Sequence, residues 1–240
     1  MRALVISLAL TGLVAGCGTT AKFVYPANPA NLARVSEKPR YAKVVAVLPF
    51  EELRGDKNSS GTFWVYAVPL APFGWIDYDR PDAARMFNSV SEFQFNPSED
   101  LAKAAVTSLQ KSGLFNDAFF TFGGEKANAD LLFTGHVQST AYHGKIYSYC
   151  LSVFGPVLWF IGLPAGSSGN ELALKFELQD SKTKNKLWEY TYAGNKIVVQ
   201  GLYYRFGYDV RGYAELMEQA MNQAITNLDT SLQHTPGLAP

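Results

Sequence analysis

The residues of this 240-residue chain best equipped for chemistry are three histidines, two cysteines and an acidic stretch near the first third. His136 and His143 stand seven positions apart. On one continuous strand an odd spacing puts them on opposite faces, so a shared metal ion is not expected. His234 sits in a C-terminal segment expected to fray. Glu51-Glu52 with Asp77, Asp79 and Asp82 could supply paired carboxylates for acid–base work or calcium. They lack the spacing of a calcium loop and read as solvated loop charge. Arg54-Gly55-Asp56 spells an adhesion tripeptide, which is weak evidence in a turn-prone stretch. No nucleophile elbow, phosphate loop or paired-Cys motif occurs. No catalytic, cofactor-binding or metal residue is therefore assigned, and the chain is expected to be no enzyme and to need no cofactor.

Cys17 is the exception among these groups because of what precedes it. Met1-Arg2 supplies a small positive region, Ala3 to Leu10 is a short uncharged apolar stretch, and Leu13-Val14-Ala15-Gly16 leads to Cys17. That is the pattern of a secretory signal, too short for a spanning helix. The small residues ending in Cys resemble the lipobox of bacterial lipoproteins. The resemblance implies cleavage after residue 16, a diacylglycerol thioether on Cys17, and acylation of the new amine by a chain such as palmitate. Gly18 in place of Asp after the Cys implies sorting to the outer membrane, facing the periplasm. A thiol consumed by lipid is no disulfide partner, which leaves Cys150 alone and excludes a disulfide framework. Cys150 lies in an apolar run and is expected to be a buried, inert thiol.

Composition narrows the partners. Lys and Arg together number 21 and so do Asp and Glu, giving a net charge of +0. Nothing here makes an electrostatic footprint for nucleic acid. Aromatic residues are 14% of the chain, with 13 tyrosines, which favours β-structure and contact surfaces over a long-helix protein.

These residues must be positioned by a small set of elements. Residues 17–40 read as a lipidated Cys and a flexible tether, broken at Pro26, Pro29 and Pro39 and without a sustained period. Extended, 18–40 would reach roughly 75 Å at about 3.3 Å per residue. Val44-Val45-Ala46-Val47-Leu48-Pro49 reads as a strand buried on both faces and ended by its proline. Asn96-Pro97-Ser98-Glu99 predicts a helix start with a capping box. Leu101, Ala105 and Leu109 continue its apolar stripe, and Gly113 stops it. Strands are predicted over 117–122 and 131–142. Leu172, Leu174, Phe176 and Leu178 alternate with polar residues, turn at 180–185, and return through 187–193 with Trp188, Tyr190 and Tyr192 on one face. Tyr213, Leu216, Met217, Ala220, Ala224, Ile225 and Leu228 mark a closing amphipathic helix. One domain over 41–234 is expected, of α+β or α/β-sandwich class: a mainly antiparallel sheet, two amphipathic helices, and two apolar insertions at 51–95 and 146–170. The signal covers 1–16, and 235–240 is a frayed tail.

The tethered Cys, the strand 44–50, the helix, Ala129-Asp130-Leu131-Leu132-Phe133-Thr134-Gly135-His136-Val137, and Leu178-Gln179-Asp180-Ser181-Lys182-Thr183…Leu187-Trp188 together resemble a group of bacterial envelope lipoproteins. These are related to the curli secretion lipoprotein and the TolB N-terminal domain. The resemblance covers about half the chain and implies no functional residue.

The insertions are the unusual feature. Asn58 to Ile76 and Ile146 to Asn170 contain no charged residue. The second could be a spanning helix, an exposed hairpin that meets membrane or partner, or a hairpin buried locally. Gly155-Pro156 and Gly162-Leu163-Pro164 oppose the helix, and the alternation around Ser148, Cys150 and Ser152 favours a strand. If the strands before them run parallel, both insertions leave the same edge of the sheet and can form one apolar lobe. Trp64, Phe73, Trp75, Phe154, Trp159 and Phe160 are the expected contact residues. The implied function is non-enzymatic: a lipid-anchored periplasmic protein serving envelope assembly or export by binding partners or copies of itself. An envelope hydrolase, and a binder of lipid or another apolar ligand, stand beside it as alternatives.

Overall fold

The long alternating run closes on itself as expected. In a computed structural model, which describes residues 20–83 and 92–234, it forms a hairpin of two fifteen-residue strands. The signal segment, Cys17 and the tail 235–240 lie outside the described residues. In chain order the elements are β1 (Thr20–Lys22), β2 (Tyr41–Val47), β3 (Glu51–Glu52), β4 (Asn58–Ser60), α1 (Trp64–Ala67), β5 (Phe73–Tyr78) and β6 (Glu92–Gln94). They continue with α2 (Pro97–Ser112), β7 (Phe115–Phe120), β8 (Leu131–Ser139), β9 (Tyr142–Tyr147), α3 (Gly155–Phe160), β10 (Gly166–Asp180), β11 (Lys186–Gln200) and α4 (Arg211–Leu232).

β10 organises the sheet. β11 runs antiparallel along one side of it, from Gly166↔Gln200 to Gln179↔Lys186. On its other side lie β8 and β9, nearly collinear, with Asp180↔Leu131 at one end and Gly166↔Ile146 at the other. The single strand expected over 131–142 is thus longer and broken, with an irregularity between Ala173 and Leu174 of the partner strand. β2 lies parallel to both β8 and β7, and β3 extends that pairing along β8. The β4–β5 hairpin joins the sheet beside β9. The sheet is therefore mixed, which corrects the expectation of a mainly antiparallel one. The reason is the connection from β2 through α2 to β7: a helical crossover brings the chain back in the same direction.

Both long helices cover one face. Leu101, Ala105 and Leu109 of α2 and Leu216, Met217, Ala220 and Ile225 of α4 are buried against Val45, Val47, Phe133, Leu174, Phe176 and Trp188. α2 begins where expected, but its cap differs. The Asn96 side chain makes no cap bond; the Asp100 carboxylate instead accepts from the Asn96 backbone N–H at 2.8 Å. Gly113 ends the helix at φ 72°, the left-handed conformation that a side chain would resist.

The tether expectation is overturned for the described part of 17–40. β1 pairs in parallel with β6. Phe23 is buried and stacks on Phe95 with centroids 5.0 Å apart. The Tyr25 hydroxyl bonds to Ser108. The Asn28 N–H donates to Glu218 Oε1 at 2.6 Å, the Ala33 N–H donates to Asn222 Oδ1 at 2.8 Å, and Arg40 pairs with Asp229. The segment is a strap over α2 and α4. Its anchors are single residues at irregular spacing, so no period announces them.

Candidate functional site

The two uncharged segments meet. β2 and β8 are parallel, so the chain leaves both toward the same end of the sheet. β5 then pairs with β9, placing Phe73 opposite Tyr147. The backbone N–H groups of Ser148 and Tyr149 both donate to the Pro72 carbonyl, at 3.0 and 3.1 Å, and the Ser148 hydroxyl donates to the Ala71 carbonyl. α1 packs against the turn Ser152–Phe154.

The local conformation of 148–165 corrects two expectations. The chain here is neither strand nor spanning helix. Tyr149, Cys150 and Ser152 take positive φ values of 55°, 63° and 50°, which ends β9 in a tight turn, and α3 starts at Gly155-Pro156. A Cβ at Gly155 would stand 2.5 Å from the Ser148 Cα, so a glycine is needed where α3 crosses the turn. No helix among the described residues is long and apolar enough to cross a membrane. Cys150, expected to be buried, is exposed, because the left-handed turn directs it away from the core.

Of the expected contact residues, Trp64, Phe73, Trp75, Phe154 and Phe160 are exposed on this lobe, while Trp159 is half-buried and donates its indole N–H to the Tyr147 carbonyl at 2.9 Å. Sequence reasoning named Phe154, 71% exposed, but missed two further tips: Leu70 and Ile161 are 74 and 73% exposed. A group of apolar side chains this exposed is uncommon on a soluble monomer. Tyrosines surround the base. Tyr149 donates to the Pro164 carbonyl, Tyr147 bonds to Ser167, and Tyr203 reaches from the 201–210 loop to the Phe160 carbonyl at 3.0 Å.

Beneath that loop lies a polar group no motif disclosed. Asp209 is fully buried; the Tyr142 hydroxyl donates to it at 3.4 Å, and Asn170 Nδ2 donates to its backbone carbonyl. Burial pushes the Asp209 carboxyl up to about 6. The residues first considered for chemistry are engaged elsewhere. His136 Nδ1 lies 2.9 Å from Glu51 and His143 Nδ1 lies 2.8 Å from Asp77. Arg54 is buried and paired with Glu52 at 2.7 Å and Asp82 at 2.6 Å. The tripeptide Arg54-Gly55-Asp56 therefore offers no free guanidinium. Among the described residues no group of three or more His, Cys, Asp or Glu side chains could hold a metal ion.

No protein-family model matches the chain, and no curated protein matches it. Solved structures match loosely. A Xanthomonas campestris protein of the DUF330 family is 12% identical over 88% of this chain and 92% of its own, with a TM-score of 0.42. The PelC dodecamer from Paraburkholderia phytofirmans is 13% identical over 78% and 93%, with a TM-score of 0.39. The lipoprotein GNA1162 from Neisseria meningitidis is 12% identical over 77% and 98%, with a TM-score of 0.24. Likenesses this weak carry no residue role and no activity to this chain.

Proposed function

We propose that this chain is a lipid-anchored protein of the bacterial outer membrane, facing the periplasm, that works by contact and not by catalysis. Its role is in envelope assembly or export, exercised through bound partners or copies of itself. The observation that carries the reading is the single apolar lobe built from two uncharged segments far apart in sequence. A core buries such residues, whereas here Trp64, Phe154 and Phe160 are displayed together. The lipobox-like run ending at Cys17 supplies the anchor in this reading.

The anchor is tested by metabolic labelling with a radioactive or clickable fatty acid. Wild type should incorporate label and Cys17→Ser should not, because Cys150, the other cysteine, follows no lipobox-like run. Label persisting on the serine variant removes the lipobox from the account.

A further inference from the structure

We infer that the occupant of the apolar lobe is the bilayer itself: the lobe dips into the boundary between headgroups and acyl chains beside the anchor. The inference rests on the lipid-anchored reading above and goes further by assigning a ligand to the exposed aromatic surface.

Three observations favour a lipid surface over a protein. The first is the mix of side chains. The tips are purely apolar, with Leu70, Val153, Phe154 and Ile161 exposed. Around them lie Trp64, Trp75, Trp159, Tyr147 and Tyr203, rings that each carry one polar atom; those of Trp159, Tyr147 and Tyr203 are bonded within the protein. Amphipathic rings beside apolar tips are the pattern of a membrane interface.

The second is charge. The lobe segments carry none, and the ionic groups nearest its base include cations. Lys145 lies with Nζ 4.9 Å from the Phe73 ring centroid, and Arg205 is exposed on the loop that reaches Phe160 through Tyr203. Neither forms an ion pair with a carboxylate among the described residues, in contrast to Lys196 and Arg211, which both pair with Glu215. Cations at the rim of an apolar tip complement anionic headgroups.

The third is chain length. Only residues 18 and 19 separate Cys17 from β1, so a lipid on Cys17 lies within about 11 Å of Thr20 along the chain. β1 is fixed on the lobe half of β10, though at the end of β9 away from the lobe. Ala21 pairs with Phe93, Phe93 meets the Tyr142 ring at 5.3 Å, and Tyr142 pairs with Asn170, four residues from the start of β10. Lys22 and Pro26 also share a cavity of about 310 Å³ with Gly207 and Tyr208, in the loop that touches the lobe. With the strap packed down, the domain cannot stand off its anchor. The bilayer is then the surface within reach.

The chain carries a built-in probe. Of its four tryptophans, Trp64, Trp75 and Trp159 belong to the lobe, and Trp188 is buried under α4, donating to Asn227 at 2.8 Å. The lipidated full-length protein is reconstituted into phosphatidylethanolamine–phosphatidylglycerol vesicles, with and without lipids brominated at shallow acyl positions. Tryptophan emission should be lost in brominated vesicles. Trp64→Phe/Trp75→Phe, which keeps the lobe apolar and the fold intact, should remove most of the quenchable emission and leave that of Trp188 and the half-buried Trp159. Unquenched emission from protein that remains vesicle-bound overturns the inference while leaving the anchor in place. Unquenched emission together with self-association by light scattering assigns the lobe to a second copy, which also overturns it. Quenching of a chain that fails to take up fatty-acid label supports the lobe and removes the anchor instead.

Discussion

Asp209 shows how much a single side chain here depends on its surroundings. Burial raises its pKa to about 6, so the folded state holds the proton more tightly than the unfolded chain, whose value is 3.8. The consequence has a sign. Below about pH 3 the carboxyl is protonated in both states and its ionisation costs nothing. As pH rises toward 6 the unfolded chain ionises first, and folding loses stability, about 3 kcal/mol for a shift of this size. Above pH 6 the loss is constant. Asp209→Asn should therefore leave unfolding near pH 3 unchanged and raise the midpoint at pH 7. Thermal unfolding of both proteins across pH 3 to 8 checks it, and parallel curves would refute it. No local pattern in the sequence exposes this residue. Its burial arises from β9, β10 and the 201–210 loop meeting, and the same holds for Arg54, whose partners Glu52 and Asp82 come from either side of the β4–β5 hairpin. The aromatic residues of the lobe were readable, because an uncharged run is a local signal.

At the scale of elements, the strap is the consequential finding. Phe23 packs between Tyr25 and Phe95, and those rings continue to Tyr213 on α4, 5.2 Å from Phe95. Phe23→Ala should cost about 3 kcal/mol by opening a cavity in this stack. Urea unfolding at constant m-value measures it; a loss below about 0.5 kcal/mol would restore the picture of an unattached tether. The elements legible in advance were the ones with a period: β2, α2, the β10–β11 hairpin and α4. Those that were not legible are aperiodic. The strap is held by isolated anchors, and the turn at 149–152 depends on positive φ at residues that ordinarily avoid it. Sheet polarity was legible only in part, since the order strand, helix, strand contained the parallel crossover that the alternating hairpin overshadowed.

For the molecule as a whole, the fold separates two jobs. One end of a mixed sheet, sealed on one face by α2 and α4, provides the core. The other end extends two segments that meet the core at Ile76 and Ile146 and leave other apolar side chains, among them Phe154 and Phe160, exposed for contact. The strap packs β1 against β6, and under the proposed lipid-anchored reading that holds the anchor to the domain. The central claim is that the lobe is a working surface and no part of the folding core. It is tested most directly by placing charge on its tips, with Phe154→Glu/Phe160→Glu in the full-length protein. The measurement is the recovery of membrane-bound or assembled protein from envelopes, on material whose unfolding midpoint is known. The account predicts a folded variant within about 0.5 kcal/mol of wild type that has lost assembly or membrane contact. A variant that no longer folds, because a buried charge is left unpaired, would return these residues to the core. A stable variant whose assembly and membrane binding are unchanged would contradict the claim outright.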